Sequence, residues 1–343
     1  MLYEKFLVER YDSYILTCRR IEIFSKPADI NHMLIYDDNL LVEIIIYEIN
    51  AQSATCLNSL TYIKQDNFKL FADTLFNKYP TLKKIDFPSS YNIYSLDRSI
   101  IYLRSNDFVI DLPTTIEEYI QNLGSSTRAN YKKHKNKFLR ECPQANFVKK
   151  DGADIEEHII SKIIELNFER IKFKKEVPHT NHTHLQNIYE YTKHYGKVTY
   201  IEVDGIIIAG CIAFMANKSI YSNFLAHDNN YSQYNPGQLC MVYLIQESIE
   251  SGFSKLHLLW GETDYKTRFL AKPHQMFSYY IYRNFSVSYC ISKTKALILY
   301  LLHKLKASKY SKPIKDLVKK MNKMSTQQIS KLEFKNNKNQ HIE

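Results

Sequence analysis

The chain has 343 residues, of which 45% are hydrophobic and 24% charged, so it is long enough for about two globular domains and too apolar for wholesale disorder. Its formal net charge of +10 is concentrated in residues 291–343, which hold 13 lysines, no arginine and three acidic residues. The first 290 residues are formally neutral, which argues against a core that binds specific nucleic acids and leaves the basic tail to contact phosphate groups or an anionic bilayer.

Cysteine spacing and apolar runs indicate the compartment. The six cysteines are scattered, without the paired spacing of a disulfide framework: Cys18, Cys56, Cys142, Cys211, Cys240 and Cys290. The longest apolar run near the tail, residues 296–302, is far shorter than the ~20 residues that span a bilayer, and the first residues lack a signal-peptide core. We expect a cytoplasmic protein, with peripheral contact with the inner face of the membrane as an option for the tail.

Residues 1–110 are predicted to form a small α/β domain. Its predicted elements are strands at 40–49, 85–87 and 100–103 and a helix at 67–78. No glycine occurs before Gly124, so a glycine-rich phosphate loop is excluded from this part of the chain.

Residues 111–290 are predicted to form a second domain, followed by a basic helical tail at 291–343. Four helices are predicted at 115–122, 128–141, 155–172 and 184–194, then strands at 198–203, 206–215 and 219–226, a helix at 238–251, a strand at 255–259, a helix at 264–270 and a strand at 277–282. Asp204-Gly205 is a two-residue hairpin signal, and Gly252 suits the end of a helix.

A dense polar segment follows the predicted strand at 255–259. After Gly261 come two carboxylates, a phenol and an amine, on Glu262, Asp264, Tyr265 and Lys266. Groups of these types transfer protons in enzymes. The alternative is a solvated helix start, in which the acids complement the helix dipole and the lysine forms a surface pair.

The helix after the third strand of this domain begins at Asn235-Pro236-Gly237. The first N–H groups of a helix have no partner within it, so those of Gly237, Gln238 and Leu239 suit a phosphate-bearing ligand. The alternative interpretation is ordinary Pro-Gly turn chemistry.

Two further sets of residues are candidates for substrate binding. Arg128, Lys132 and Lys135 share one helix face and either clamp an acidic acceptor or form a solvated surface. His227 and Asp228 follow the third strand and are either an oriented base or turn residues. The histidines at 179, 182 and 184 have no carboxylate or cysteine nearby in sequence, so we expect no metal site.

The order of elements and four sequence blocks resemble the GNAT acyltransferase superfamily, in particular the acetyltransferase domain of bacterial polysaccharide-biosynthesis proteins, which is related to the Fem-type aminoacyltransferases. The blocks are residues 128–133, 203–213, 227–239 and 261–266. The most specific is Gly261 followed by Tyr265-Lys266, and the resemblance covers residues 112–283. It implies a GNAT fold, with a mixed, mostly antiparallel sheet flanked by helices, and a tandem arrangement whose N-terminal half is a degenerate GNAT-like domain.

The resemblance also implies a reaction, the transfer of an acyl group from acetyl-CoA to an amino group of a sugar or nucleotide-sugar precursor of a cell-surface polysaccharide. Tyr265 would be the general acid, Glu262 or Asp264 the base, and Lys266 would pair with phosphate or a carboxylate. Gly237, Gln238 and Leu239 would bind the donor, and Arg128, Lys132, His227 and Asp228 the acceptor.

Two alternatives remain open from the sequence. The loop at Pro236-Gly237 has fewer glycines than standard GNAT pyrophosphate loops, so the donor is acyl-CoA, an acylated carrier protein or aminoacyl-tRNA. With the last of these, the chain would be a Fem-like aminoacyltransferase that acts on a peptidoglycan precursor. A third class is a non-catalytic module that binds a membrane or nucleic acid through its tail.

Overall fold

A computed structural model describes residues 3–25, 30–94, 96–173, 185–261, 264–285, 289–294 and 296–297. The helices are α1 (Glu4–Tyr11), α2 (Cys18–Phe24), α3 (Gln65–Lys78), α4 (Ile116–Asn122), α5 (Ser125–Glu141), α6 (Glu157–Phe173), α7 (Leu185–Tyr195), α8 (Pro236–Glu250) and α9 (Asp264–Arg268). The strands are β1 (Ile30–Asp37), β2 (Leu40–Asn50), β3 (Ser53–Cys56), β4 (Lys84–Ser90), β5 (Ser99–Asp111), β6 (Asn146–Asp151), β7 (Gly196–Val203), β8 (Ile206–Ala216), β9 (Ser219–His227), β10 (Lys255–His257) and β11 (Lys272–Tyr282).

These strands form one sheet in the order β1-β2-β3-β4-β11-β5-β10-β9-β8-β7-β6. One pattern occurs twice in it. Strands β1, β2 and β3 are antiparallel neighbours, and α3 then leads to β4, which is parallel to β3. Strands β7, β8 and β9 are likewise antiparallel, and α8 leads to β10, which is parallel to β9. The predicted mixed, mostly antiparallel sheet with flanking helices is confirmed, while the tandem origin of the two patterns stays a prediction.

Strands β5 and β11 join the two halves of the sheet. Strand β11 pairs with β4 on one side and β5 on the other, and β5 also pairs with β10. The sheet therefore continues unbroken across the predicted domain boundary at residue 110, and the division into domains stays a prediction.

Apolar side chains cover both faces of the C-terminal half of the sheet. The cluster on the α8 face includes Leu239, Leu256 and Leu258, and the cluster on the α6 and α7 face includes Tyr221 and Leu259. Burial of this apolar surface is the main favourable contribution to folding.

The helices of the described residues are all too short or too polar to cross a bilayer. The predicted basic tail lies outside the described residues, apart from 291–294 and 296–297.

Candidate active site

The sheet opens between β9 and β10. These parallel strands pair only from Ser219 opposite Lys255 to Tyr221 opposite His257. Strand β9 then continues beside β8, whereas the chain after β10 stays with β5, where the N–H of Leu258 donates to the carbonyl of Phe108 at 2.7 Å. The predicted strand at 255–259 is thus shorter, because its last two residues leave β9. The carboxyl ends of two parallel strands diverge here, which is where α/β sheets bind ligands.

The start of α8 lies at this edge of the sheet. Asn235 has φ 55° and ψ 49°, and Pro236 is the first helical residue. The carbonyl of Asn235 accepts hydrogen bonds from the N–H groups of Gln238, at 2.9 Å, and Leu239, at 3.2 Å. The prediction that these two N–H groups face a ligand needs correction, because the tight first turn already uses them. That Gln238 and Leu239 contribute to donor binding in some other way stays a prediction.

Gly237 and His227 are in contact at the start of α8. A Cβ atom at position 237 would lie 2.9 Å from Nδ1 of His227, which is closer than folded proteins tolerate. A side chain at position 237 would therefore displace this imidazole or the first turn of α8. Asp228 acts as a turn residue, since its carboxylate accepts from the N–H of Asn230 at 2.8 Å and caps a short 3₁₀ helix.

Helix α5 lies beside the segment that leads into α8. Nε2 of His134 is 3.4 Å from Nδ2 of Asn235, and the ammonium of Lys137 lies over the ring of Tyr234. Lys132 is exposed on this helix, and Arg128 donates to the carbonyl of Gln121 at 2.7 Å. The basic residues predicted to bind the acceptor thus belong to a helix that flanks the predicted donor site.

Lys266 is a buried amine, only 3% exposed, that caps the end of β10. Its Nζ donates to the carbonyls of Leu258, Leu259 and Trp260 at 2.9, 2.9 and 2.8 Å. Burial lowers the pKa of this amine to about 8, and the charge of Asp107 opposes the shift. The structure pairs Lys266 with these three carbonyls and not with the predicted phosphate or carboxylate, because the backbone of residues 258–260 turns towards the amine.

Tyr265 is half-buried at the start of α9. Its ring lies edge-on to that of Phe269, with 6.3 Å between the ring centroids. It packs on the same apolar cluster as Leu239. The structure therefore places Tyr265 and the start of α8 on one face of the sheet. Asp264 is the first residue of α9, and Glu262 lies outside the described residues.

Asp107 and His257 form a buried pair that the sequence did not suggest. Nδ1 of His257 donates to Oδ2 of Asp107 at 2.6 Å, and the hydroxyl of Tyr91 donates to the same oxygen at 2.6 Å. The ring of His257 stacks on Tyr221 at 4.2 Å. Burial works against the charge of Asp107, but the hydrogen bond and charge of His257 and the bond from Tyr91 outweigh it and lower the pKa of the carboxyl.

Each residue of this pair can be noticed in its own segment, but the sequence does not show that the two residues meet. Asp107 directly precedes the apolar run Phe108–Ile110, and His257 lies between Leu256 and Leu258. They are 150 positions apart and meet because β10 pairs with β5. Periodicity along one segment carries no information about that long-range pairing.

Clusters of three or more His, Cys, Asp or Glu able to hold a metal are absent from the described part of the chain. The histidines at 179, 182 and 184 lie outside it.

Residues 125–267 match the family model described as Acetyltransferase (GNAT) domain. A comparison with curated protein sequences gives no match. The family match covers the part of the chain that contains α5, α8 and the opening between β9 and β10.

Three solved structures share the fold over most of the chain. FemX has a TM-score of 0.60 at 8% identity and covers 81% of this chain and 95% of its own. A conserved protein of unknown function from Bacteroides thetaiotaomicron has a TM-score of 0.55 at 10% identity, covering 82% and 97%. The C-terminal domain of a putative lysylphosphatidylglycerol synthetase from Agrobacterium fabrum has a TM-score of 0.51 at 11% identity, covering 87% and 96%. At these identities the similarity shows the fold alone.

Proposed function

We propose that this chain, whose residues 125–267 match the acetyltransferase (GNAT) domain model, is a GNAT-type acyltransferase. In the proposed reaction it transfers an acetyl group from acetyl-CoA to an amino group of a sugar in a cell-surface polysaccharide precursor. The observation that carries the proposal is the opening between β9 and β10. It has the start of α8 at one side and Tyr265 at the other, on one face of the sheet.

The donor's phosphates are proposed to lie at the start of α8. The positive end of the helix dipole favours anions there, and the missing side chain of Gly237 allows close approach. Helix α5, which carries the exposed Lys132 and the Lys137 ammonium over Tyr234, adds positive charge beside the segment that leads into α8. The pantetheine arm would then extend along β9 beyond Tyr221, where β10 no longer uses the backbone groups of that strand.

Tyr265 is proposed to protonate the departing thiolate once the acceptor amine has attacked the thioester carbonyl. A phenol suits this task, since it is a proton donor at neutral pH and lies beside the proposed donor site. Glu262 and Asp264 are the sequence-derived candidates for the base.

The test is release of free thiol from acetyl-CoA in the presence of glucosamine, UDP-glucosamine or 6-amino-6-deoxyglucose. We expect thiol release that depends on both substrates, with an acetylated sugar as the second product. Purified protein that binds acetyl-CoA and transfers acetyl to none of these amines, at any acceptor concentration, would overturn the sugar acceptor.

A Fem-like aminoacyltransferase is the second candidate, since the fold similarity to FemX extends over 95% of that chain. Fem-type proteins usually carry a long helical hairpin, and the longest helices among the described residues, α5 and α6, have 17 residues each. Transfer that requires charged tRNA and is lost after ribonuclease treatment would favour this candidate over the first.

Contact between the basic tail and an anionic membrane is proposed as a separate property. Thirteen lysines lie in residues 291–343, and each contributes about 1 kcal/mol near an anionic surface. Co-sedimentation with phosphatidylglycerol vesicles should decrease as salt increases. A chain that ends at residue 297 should lose this binding and keep its affinity for the donor, whereas a purely membrane-binding module would have no donor affinity to keep.

A further inference from the structure

A cluster of titratable side chains lies where β9 and β10 separate. His257 is the last residue of β10, and its neighbour Tyr221 is the last residue of β9 that pairs with that strand. Asp107 comes from β5, and Tyr91 follows β4. Four segments of the sheet therefore converge on the inner end of the opening, on the face covered by α6 and α7.

This cluster contains two unused hydrogen-bonding positions. Oδ1 of Asp107 is buried and has no hydrogen-bond partner among the described residues. Nε2 of His257 likewise forms no hydrogen bond with any residue that the structure describes. A buried carboxylate oxygen without a partner is costly, and such positions in native proteins commonly serve a ligand or catalysis.

We propose that His257 is the catalytic base, which takes the proton from the ammonium of the acceptor, and that Asp107 and Tyr91 are its positioning residues. The inference rests on the proposed acyl transfer and replaces Glu262 and Asp264 in the role of base. Because Nδ1 of His257 faces the carboxylate of Asp107, the ring proton lies there and Nε2 is left to accept.

The groups already named account for every proton that moves in this step. Nε2 of His257 takes one proton from R–NH₃⁺, and the resulting amine forms a C–N bond with the thioester carbonyl. The C–S bond breaks as the tetrahedral intermediate collapses, and the thiolate takes the proton of Tyr265. Tyr265 recovers a proton from the positively charged nitrogen of the attacking amine, which becomes the neutral amide nitrogen, and His257 releases its own proton to water. The products are an amide, free thiol and one proton.

The ionisation of Asp107 supports this arrangement. The pKa of this carboxyl is lowered, so it carries its charge at neutral pH and stabilises the imidazolium that forms on His257. Tyr62, which is 52% exposed, stacks on Tyr91 at 4.9 Å and continues the cluster towards solvent. We place the acceptor on that side, opposite to the proposed donor site, in place of the predicted acceptor position beside Arg128 and Lys132.

The test compares two acceptors in His257→Gln. 6-Amino-6-deoxyglucose is charged at neutral pH and needs a base, whereas hydroxylamine is already neutral. We expect kcat to fall about 10²- to 10⁴-fold for the amino sugar and far less for hydroxylamine. His274→Gln is the matched control, since His274 on β11 acts on the charge of Asp107 without a hydrogen bond to it, and both rates should stay unchanged.

The outcomes separate this inference from the proposed function. Equal loss with both acceptors in His257→Gln would show a purely structural role and overturn the inference. Full activity in His257→Gln, with activity lost in Glu262→Gln or Asp264→Asn, would assign the base to those carboxylates. If His257→Gln does not fold, Asp107→Asn must show the same dependence on the acceptor. A wild-type protein that transfers to neither amine would overturn the proposed function and this inference with it.

Discussion

The imidazole of His227 lies against the α-carbon of Gly237, so closely that a Cβ atom there would be 2.9 Å from Nδ1. The contact joins the last residue of β9 to the first turn of α8. The geometry of the proposed donor site therefore depends on the absence of one side chain.

Gly237→Ala should weaken donor binding. The methyl group would displace His227 or the first turn of α8, and such overpacking costs typically about 1–3 kcal/mol. We expect a comparable loss of acetyl-CoA affinity, measured by isothermal titration calorimetry. Gly124→Ala is the control, since a Cβ at Gly124 meets nothing within 4 Å. Adding His227→Ala to Gly237→Ala should recover most of the loss if the steric contact is its cause.

Tyr265→Phe should slow turnover and leave donor binding intact. It removes only the hydroxyl, and general acid catalysis contributes about 10²- to 10⁴-fold to a rate. Pre-steady-state thiol release and donor affinity are to be measured side by side. Tyr243→Phe on α8 is the control, because it removes a tyrosine hydroxyl that bonds to the carbonyl of Phe147 on β6 at 3.4 Å. Full activity in Tyr265→Phe would exclude the phenol as proton donor.

Lys266→Met should destabilise the fold, because three buried carbonyls lose their donor. We expect a decrease of about 1–3 kcal/mol in the free energy of unfolding, measured by urea denaturation. Lys272→Met is the control, since Lys272 forms an exposed pair with Asp111 at 2.8 Å, and such pairs contribute about 0–1 kcal/mol. Equal stability of the two variants would contradict the capping role.

The same lysine should make stability depend on pH in the alkaline range. The pKa of Lys266 is about 8 in the folded protein, against about 10.4 in an unfolded chain. Between these values the unfolded state binds more protons, so stability due to Lys266 rises with pH. The difference in unfolding free energy between wild type and Lys266→Met should therefore increase above pH 8, by at most about 1.4 kcal/mol per pH unit. A constant difference would contradict the lowered pKa.

Asp12→Ala should weaken the contact between the N-terminal segment and β9. The carboxylate of Asp12 accepts from the N–H of Lys218 at 3.1 Å and the hydroxyl of Ser219 at 2.6 Å. Loss of these bonds should cost about 1–3 kcal/mol of unfolding free energy. Asp37→Ala, at the exposed end of β1, should have little effect, and a similar loss in both variants would point to a general charge effect.

The sequence predicted those elements that carry their own local signals. Helix α8 lies between Pro236 and the positive-φ residue Gly252, and the hairpin of β7 and β8 turns at Asp204-Gly205, both with positive φ. Strands β1, β3 and β6 were missed. Strands β1 and β6 lie at the two edges of the sheet and mix apolar with polar residues, and β3 has only four residues, too few for a clear alternation.

The site was predicted less completely than the fold, for a physical reason. Asp107 and His257 meet through strand pairing between distant segments. Lys266 looked like a partner for carboxylates in sequence, yet the positive φ of Leu259 and Gly261 turns three carbonyls towards its amine. The backbone conformation of these two residues determines the role of Lys266. The spacing of residues in the sequence gives no information about that conformation.

The most direct test of the account is the melting temperature of the wild type and of Gly237→Ala with acetyl-CoA, longer acyl-CoAs and free CoA. A ligand at 100 times its Kd stabilises the native state by about 2.7 kcal/mol. We predict a clear rise in melting temperature for the wild type with acetyl-CoA and a much smaller rise for Gly237→Ala. No rise with any CoA compound, or an equal rise in both proteins, would contradict a donor site at the start of α8.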